Sequence, residues 1–173
     1  HFILSSGLHS DKYIQCAQLL SKPGKARKIC NSLSKKIKEN FKKIDLILSP
    51  AIGGIVIGYE IGRLLGIETI FAERKDKDFE LGRGFELKKG QKILIIEDVI
   101  TTGKSSLECS SLVIKAQAKV IGYACIIDRS NGKSNIKEKI ISQLKMEIRT
   151  YKKENLPNHL KKIKPIKPGS RKI

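Results

Sequence analysis

Tryptophan is absent from the 173-residue chain, and aromatic side chains of all kinds make up 5% of it. Proteins that bind single-stranded nucleic acid set stacking rings beside their positive charge, so half of that equipment is missing. No apolar run approaches the ~18 residues of a membrane-spanning helix. The four cysteines, Cys16, Cys30, Cys109 and Cys125, form neither a Cys-x-x-Cys pair nor a zinc spacing. They read as reduced thiols, mostly buried, and argue against a secreted, disulfide-built protein. Acid is scarce too: 17 Asp and Glu stand against 35 Lys and Arg, a formal charge of +18. Lysine is spread along the whole chain. That pattern reads first as solvated faces of a lysine-rich protein, second as a field that draws in an anionic substrate, and third as a nucleic-acid surface. The chain opens on His1 and its single methionine is Met146, which leads us to expect a segment upstream of it, a lost signal peptide included among the options.

What is present is enough for one domain with a real core, since 40% of the residues are hydrophobic. Residues 1–20 read as loop and short strand. From Pro23 to Asn40 the apolar residues Ala26, Ile29, Cys30, Leu33 and Ile37 recur at three- and four-residue steps, which predicts a helix. Strands are expected at 44–50, 67–73, 92–98 and 119–128, with helices at 53–66 and from 103 to about 116 between them. Residues 75–90, charged and glycine-rich, read as a long mobile loop that can contain a hairpin. Residues 137–145 look helical and 146–151 strand-like. The proline- and lysine-rich residues 156–173 read as an extended basic tail. The alternation predicts an α/β fold, a mainly parallel sheet flanked by helices, whose ligands bind beyond the carboxyl ends of the strands.

Three strand ends carry marked residues: "SPAIGG" (Ser49–Gly54), "IIEDVITTGKSS" (Ile95–Ser106) and "IIDRS" (Ile126–Ser130). The second resembles an ATP phosphate loop only at its Gly-Lys-Ser ending. Where that motif needs its first glycine, this chain has Asp98. Read as chemistry, a buried strand delivers two acids, Glu97 and Asp98, and a turn rich in hydroxyls follows. Backbone N–H groups at a helix start cradle one phosphate, while carboxylates repel phosphate and accept from sugar hydroxyls. Acids followed by an anion cradle suit a sugar phosphate. Without that pairing, the stretch would read as an ordinary strand-to-helix turn.

The pattern resembles the phosphoribosyl pyrophosphate signature of the type I phosphoribosyltransferases. Other segments are similar to the orotate branch of that family: "HFILSSGLHSDKYIQC" (His1–Cys16), "LSPAIGGIVIGYEIGR" (Leu48–Arg63), "FAERK" (Phe71–Lys75), "DRSNG" (Asp128–Gly132) and the closing "KPGSR" (Lys167–Arg171). The resemblance implies a single phosphoribosyltransferase domain over 1–173, with a small amino-terminal hood at 1–20 and a mobile catalytic loop at 75–90. It implies transfer of phosphoribosyl from 5-phospho-α-D-ribose 1-diphosphate (PRPP) to orotate with Mg²⁺, in the cytoplasm. Glu97 and Asp98 match the acids that hold the ribose hydroxyls. Val99, Ile100, Thr101, Thr102, Gly103, Lys104 and Ser105 match the 5-phosphate loop. Thr101 and Arg129 match positions that touch orotate. Arg74 and Lys75 match loop cations that reach pyrophosphate, usually on the neighbouring subunit's substrate, which implies a homodimer. No protein side chain is expected as a direct metal ligand, the ion being held by pyrophosphate and ribose oxygens.

The chain departs from many members in places. Ser5 stands where they have lysine, Ile52-Gly53 where they have Tyr-Lys, and the mobile loop has no histidine. Lys77 and Arg83 are candidates to supply the missing contacts. Three other readings stay open at this point: a purine-type transferase, a regulatory nucleic-acid binder of the same fold, and a decayed fragment that binds without turnover.

Overall fold

In the computed structural model, which describes residues 1–4, 6–76 and 78–168, the chain divides into two compact units. One joins His1–Gln15 to the described residues from Glu147 onward, and the other is Cys16–Met146. In the first unit, β1 (Phe2–Ile3) and β2 (His9–Ser10) form an antiparallel pair. Phe2 bridges to Ile166 and His9 to Tyr151, and the Ser10 hydroxyl donates to the Arg149 carbonyl at 2.8 Å. The hood is therefore built from both ends of the chain. Two expectations fail here. Residues 146–151 form no strand beyond the Tyr151 bridge, and the tail is not simply extended. It carries a one-turn helix, Asn158–Lys161, that follows Pro157 and buries Leu160, and a 3-10 turn, Lys153–Asn155, precedes it. Proline punctuates this segment without preventing a turn of helix after it.

The second unit runs α1 (Cys16–Leu20), α2 (Pro23–Asn40), β3 (Leu46–Pro50), α3 (Gly53–Leu65), β4 (Thr69–Lys75), β5 (Asp78–Leu81), β6 (Lys92–Ile100), α4 (Lys104–Lys115), β7 (Lys119–Asp128) and β8 (Ile140–Lys145). The sheet order is β5-β4-β3-β6-β7-β8, parallel throughout except for the antiparallel β4–β5 pair. Between 75 and 90 the hairpin forms: β4 runs on to Lys75, which lies opposite Asp78 of β5, and Asp76 has φ 53. A positive φ of that kind is what a two-residue hairpin turn requires.

The helix expected at 137–145 is a strand. Ile140, Ile141 and Leu144 fit a helical step as well as a strand, and short apolar runs do not separate the two. Pairing decides it: Tyr123 to Asp128 of β7 offer a ladder that Ile140 to Lys145 complete, and β-branched side chains suit the pleat. The Lys36 ammonium of α2 then donates to the Ser142 and Gln143 carbonyls of β8 at 3.1 and 3.2 Å.

The buried face of α3 is lined by Gly54, Gly58 and Gly62, one every four residues. A Cβ at Gly58 would lie 2.2 Å from Ser49 Oγ, and one at Gly62 would lie 2.0 Å from Thr69 Oγ1 and 2.7 Å from the Ile67 carbonyl. Bare backbone is what lets this helix lie so close on β3 and β4. Gly62→Ala should destabilise by about 1–3 kcal/mol, the usual cost of overpacking, seen as a lower urea midpoint with an unchanged slope. Gly24→Ala is the control: nothing lies within 4 Å of the added Cβ, so the substitution should stabilise by about 0.4–1 kcal/mol.

Candidate active site

Parallel pairing puts the carboxyl ends of β3, β6 and β7 on one rim of the sheet. Ile100 lies opposite Asp128, and the Arg129 N–H donates to the Ile100 carbonyl at 2.8 Å. Thr101 and Arg129, matched from sequence to one substrate, thus follow directly from paired positions on neighbouring strands. The Asp128 carboxylate accepts from the Ser130 N–H at 2.8 Å, which tightens the turn that presents Arg129.

Residues 101–103 form a short turn between β6 and α4. Gly103 caps α4 at φ 79, the left-handed region, and an added Cβ would strike the Ile136 side chain at 2.8 Å. Thr101 and Thr102 are exposed, and Thr102 Oγ1 accepts from the Lys104 N–H at 3.3 Å. The first N–H groups of a helix have no partner within it, and the helix dipole adds to their pull on an anion. The arrangement can seat one phosphate.

The two acids do not face the same way. Neighbours on a strand alternate, and each acid meets a different layer. Glu97 lies toward α4, where the buried Ser106 hydroxyl donates a short hydrogen bond to it. Asp98 lies against α3: a Cβ on Gly53 would be 2.8 Å from its Oδ1, which accepts from the Val99 N–H at 2.9 Å. Burial holds the Asp98 carboxyl above the usual carboxylate range, and the backbone N–H pulls weakly the other way. Gly53 has a local reason for being glycine, because a side chain there would press on the acid. Cys16 sits nearby and its thiol is pushed up to about 12, first by burial and then by the Asp98 charge. All four cysteines are unpaired and buried, as expected from their spacing.

Arg74 and Lys75 extend beyond the rim at the end of β4, again on alternate faces. Lys75 is 3.8 Å from Glu80 and largely exposed. Arg74 lies over the Phe79 ring, 4.3 Å from its centre, and pairs with Glu108 of α4. Arg83 grips Glu73 with two bonds, at 2.9 and 3.0 Å, so this candidate helps to tie down the return of the hairpin. Lys77, Ser5 and the last residues of "KPGSR" lie outside the described residues. Ser106 and Glu108 escaped the sequence reading. Their partners are 9 and 34 residues away, and neither belongs to a recognisable spacing.

Among the described residues no three acids, histidines or cysteines cluster into a metal cage. Glu97 and Asp98 lie on opposite faces of β6, so what the site offers a cation is single hard carboxylate oxygens beside the substrate's own. That suits Mg²⁺, which keeps its waters and takes one or two carboxylates together with substrate phosphates.

A family model described as phosphoribosyl transferase domain matches residues 17–161. A protein of Rhizorhabdus wittichii named orotate phosphoribosyltransferase is 44% identical over 172 residues, 99% of this chain and 88% of that one. One of the same name from Caldanaerobacter subterraneus is 44% identical over 173 residues, 100% of this chain and 90% of that one. The crystal structure of orotate phosphoribosyltransferase from Aeropyrum pernix superposes with a TM-score of 0.71 at 20% identity, over 84% of this chain and 85% of that one, and so shares its fold.

The buried acid generates a prediction about stability. An acid whose folded pKa is raised keeps its proton in the folded chain after the unfolded chain has lost it, so it weakens the fold as pH rises through the ordinary carboxylate range. Asp98→Asn should therefore melt higher than the unsubstituted chain at neutral pH, with the difference closing as pH falls below that range. A melting series against pH measures it, and a lower melting temperature at neutral pH would refute it.

Proposed function

This chain belongs to the phosphoribosyltransferase family and is an orotate phosphoribosyltransferase, and from that premise we propose how its residues divide the work. The reaction joins orotate to C1 of PRPP and releases pyrophosphate, giving orotidine 5′-monophosphate in pyrimidine biosynthesis. One observation carries the division of roles: β6 brings Glu97 and Asp98 to the rim and passes at once into the Thr101–Gly103 turn and the start of α4.

In this reading the α4 start binds the 5-phosphate, with the Thr101, Thr102 and Ser105 hydroxyls as added donors and Lys104 as added charge. Glu97 and Asp98 accept from the ribose hydroxyls, Glu97 held at its angle by Ser106. Arg129, with Thr101 beside it, anchors orotate, because a planar guanidinium matches a carboxylate. As the bond from C1 to the pyrophosphate oxygen breaks and the bond to the orotate nitrogen forms, positive charge grows on the ribose and negative charge on the leaving group. Arg74 and Lys75 are assigned to stabilise the leaving charge. Orotate is already an anion, so no strong general base is required. Mg²⁺, held mainly by pyrophosphate and ribose oxygens with Glu97 and Asp98 nearby, would neutralise pyrophosphate charge.

The reading includes a cytoplasmic location, supported by four thiols without disulfides. No helix among the described residues is long and apolar enough to cross a membrane. It also includes a homodimer. Ile52, Val56 and Tyr59 recur at helical spacing and are 85, 52 and 67% exposed, an apolar stripe that a second copy would cover. Val56→Lys should shift the sedimentation of the chain to that of a monomer, and an unshifted dimer would remove this face from consideration.

The first assay follows the loss of orotate absorbance with PRPP and Mg²⁺. Turnover that stops on chelation is expected. Arg74→Ala should lower kcat by about 10²-fold or more while moving orotate affinity little, since its contact grows in the transition state. Equal loss in both would reduce Arg74 to a binding residue.

A further inference from the structure

Glu108 stands in the second turn of α4 and faces two cations that the reaction needs. Its Oε2 accepts from the Arg74 guanidinium, and its Oε1 lies 4.0 Å from the Lys104 ammonium. Arg74 comes from β4 and Lys104 from the first turn of α4, so one carboxylate meets a cation assigned to pyrophosphate and a cation assigned to the 5-phosphate. The pair with Arg74 is sheltered, with side chains 31 and 27% exposed. The Phe79 ring covers one face of the guanidinium at 4.3 Å, and Phe79 is fixed by its cross-strand register with Arg74 and by burial in the core. A guanidinium fork fits carboxylate and phosphate oxygens by the same geometry. Glu108 is therefore bound to Arg74 in the manner that a pyrophosphate oxygen would be.

We propose that Glu108 is a positioning residue that holds Arg74 in place of pyrophosphate, so that binding PRPP exchanges an internal anion for the substrate's own. The proposal rests on the assignment of Arg74 to pyrophosphate made above. An internal competitor lowers apparent affinity by the fraction of time it occupies the site. It also keeps Arg74 stacked on Phe79, ordered and ready, when the site is empty. Release of pyrophosphate is helped in the same way, since the arginine has a carboxylate to return to. Lys104 is 79% exposed and its contact with Glu108 is long, so the exchange acts chiefly through Arg74.

The test is Glu108→Gln, which keeps shape and removes charge, in the purified full chain. Pyrophosphate binding is measured calorimetrically with Mg²⁺ present, and kcat and KM for PRPP are measured from orotate loss. Pyrophosphate should bind about twofold to fivefold tighter, the size of effect a partly exposed ion pair exerts. KM for PRPP should fall in step, and kcat should change less. In an Arg74→Ala background the same substitution should alter neither quantity, which separates a specific exchange from a general change of field. Unchanged or weaker pyrophosphate binding in a chain that still turns over orotate overturns this proposal alone. An equal gain with and without Arg74 also overturns it. Absence of orotate turnover in the unsubstituted chain overturns the assignment of roles and the proposal with it.

Discussion

The seating of α4 at the end of β6 is the constraint on which the rest of the rim depends. The strand runs to Ile100 and the helix begins at Lys104, so only three residues separate a buried strand from the unpaired N–H groups of a helix start. Within its first two turns α4 holds Glu97 through Ser106 and Arg74 through Glu108. One short helix thus orients both an acid and a cation beside its own start, where the proposed phosphate cradle lies. Cys109 and Val113, on the same face as Ser106, are packed into the core with Tyr123 and Cys125 of β7, and a helix fixed in that way cannot turn without unpacking. Rigid support behind a few polar groups is what keeps a site in working geometry.

The opposite layer works through close approach rather than hydrogen bonds. Gly54, Gly58 and Gly62 draw α3 down onto the sheet, and Gly53 at the head of the same helix leaves room for Asp98. The acid beside it is desolvated, at a cost that the fold must carry. Burial of this kind at the rim proposed to hold the substrate is expected where function competes with stability.

Much of this was legible in the linear chain because local chemistry and sheet position coincide. The apolar run of β6, the paired acids, the hydroxyl-rich turn and Gly103 are contiguous, so strand, turn and helix could be read at once. The errors lie where tertiary pairing overrides local preference. Residues 137–145 carry a step compatible with either structure, and the open edge of β7 selected the strand. The tail's prolines suggested an extended segment, whereas Leu160 found a buried place and a turn of helix formed around it.

The sequence by itself determined the parallel α/β order, the rim to which the motifs belong and the residues that carry charge and hydroxyls there, because periodicity and turn chemistry are local properties. Only the tertiary structure decided which way each acid points, that Arg74 returns to Glu108 across 34 positions of chain, and that the chain's two ends combine in one unit. Those outcomes depend on strand register and on which helix lies over which strand, and both are settled by packing between segments distant in sequence.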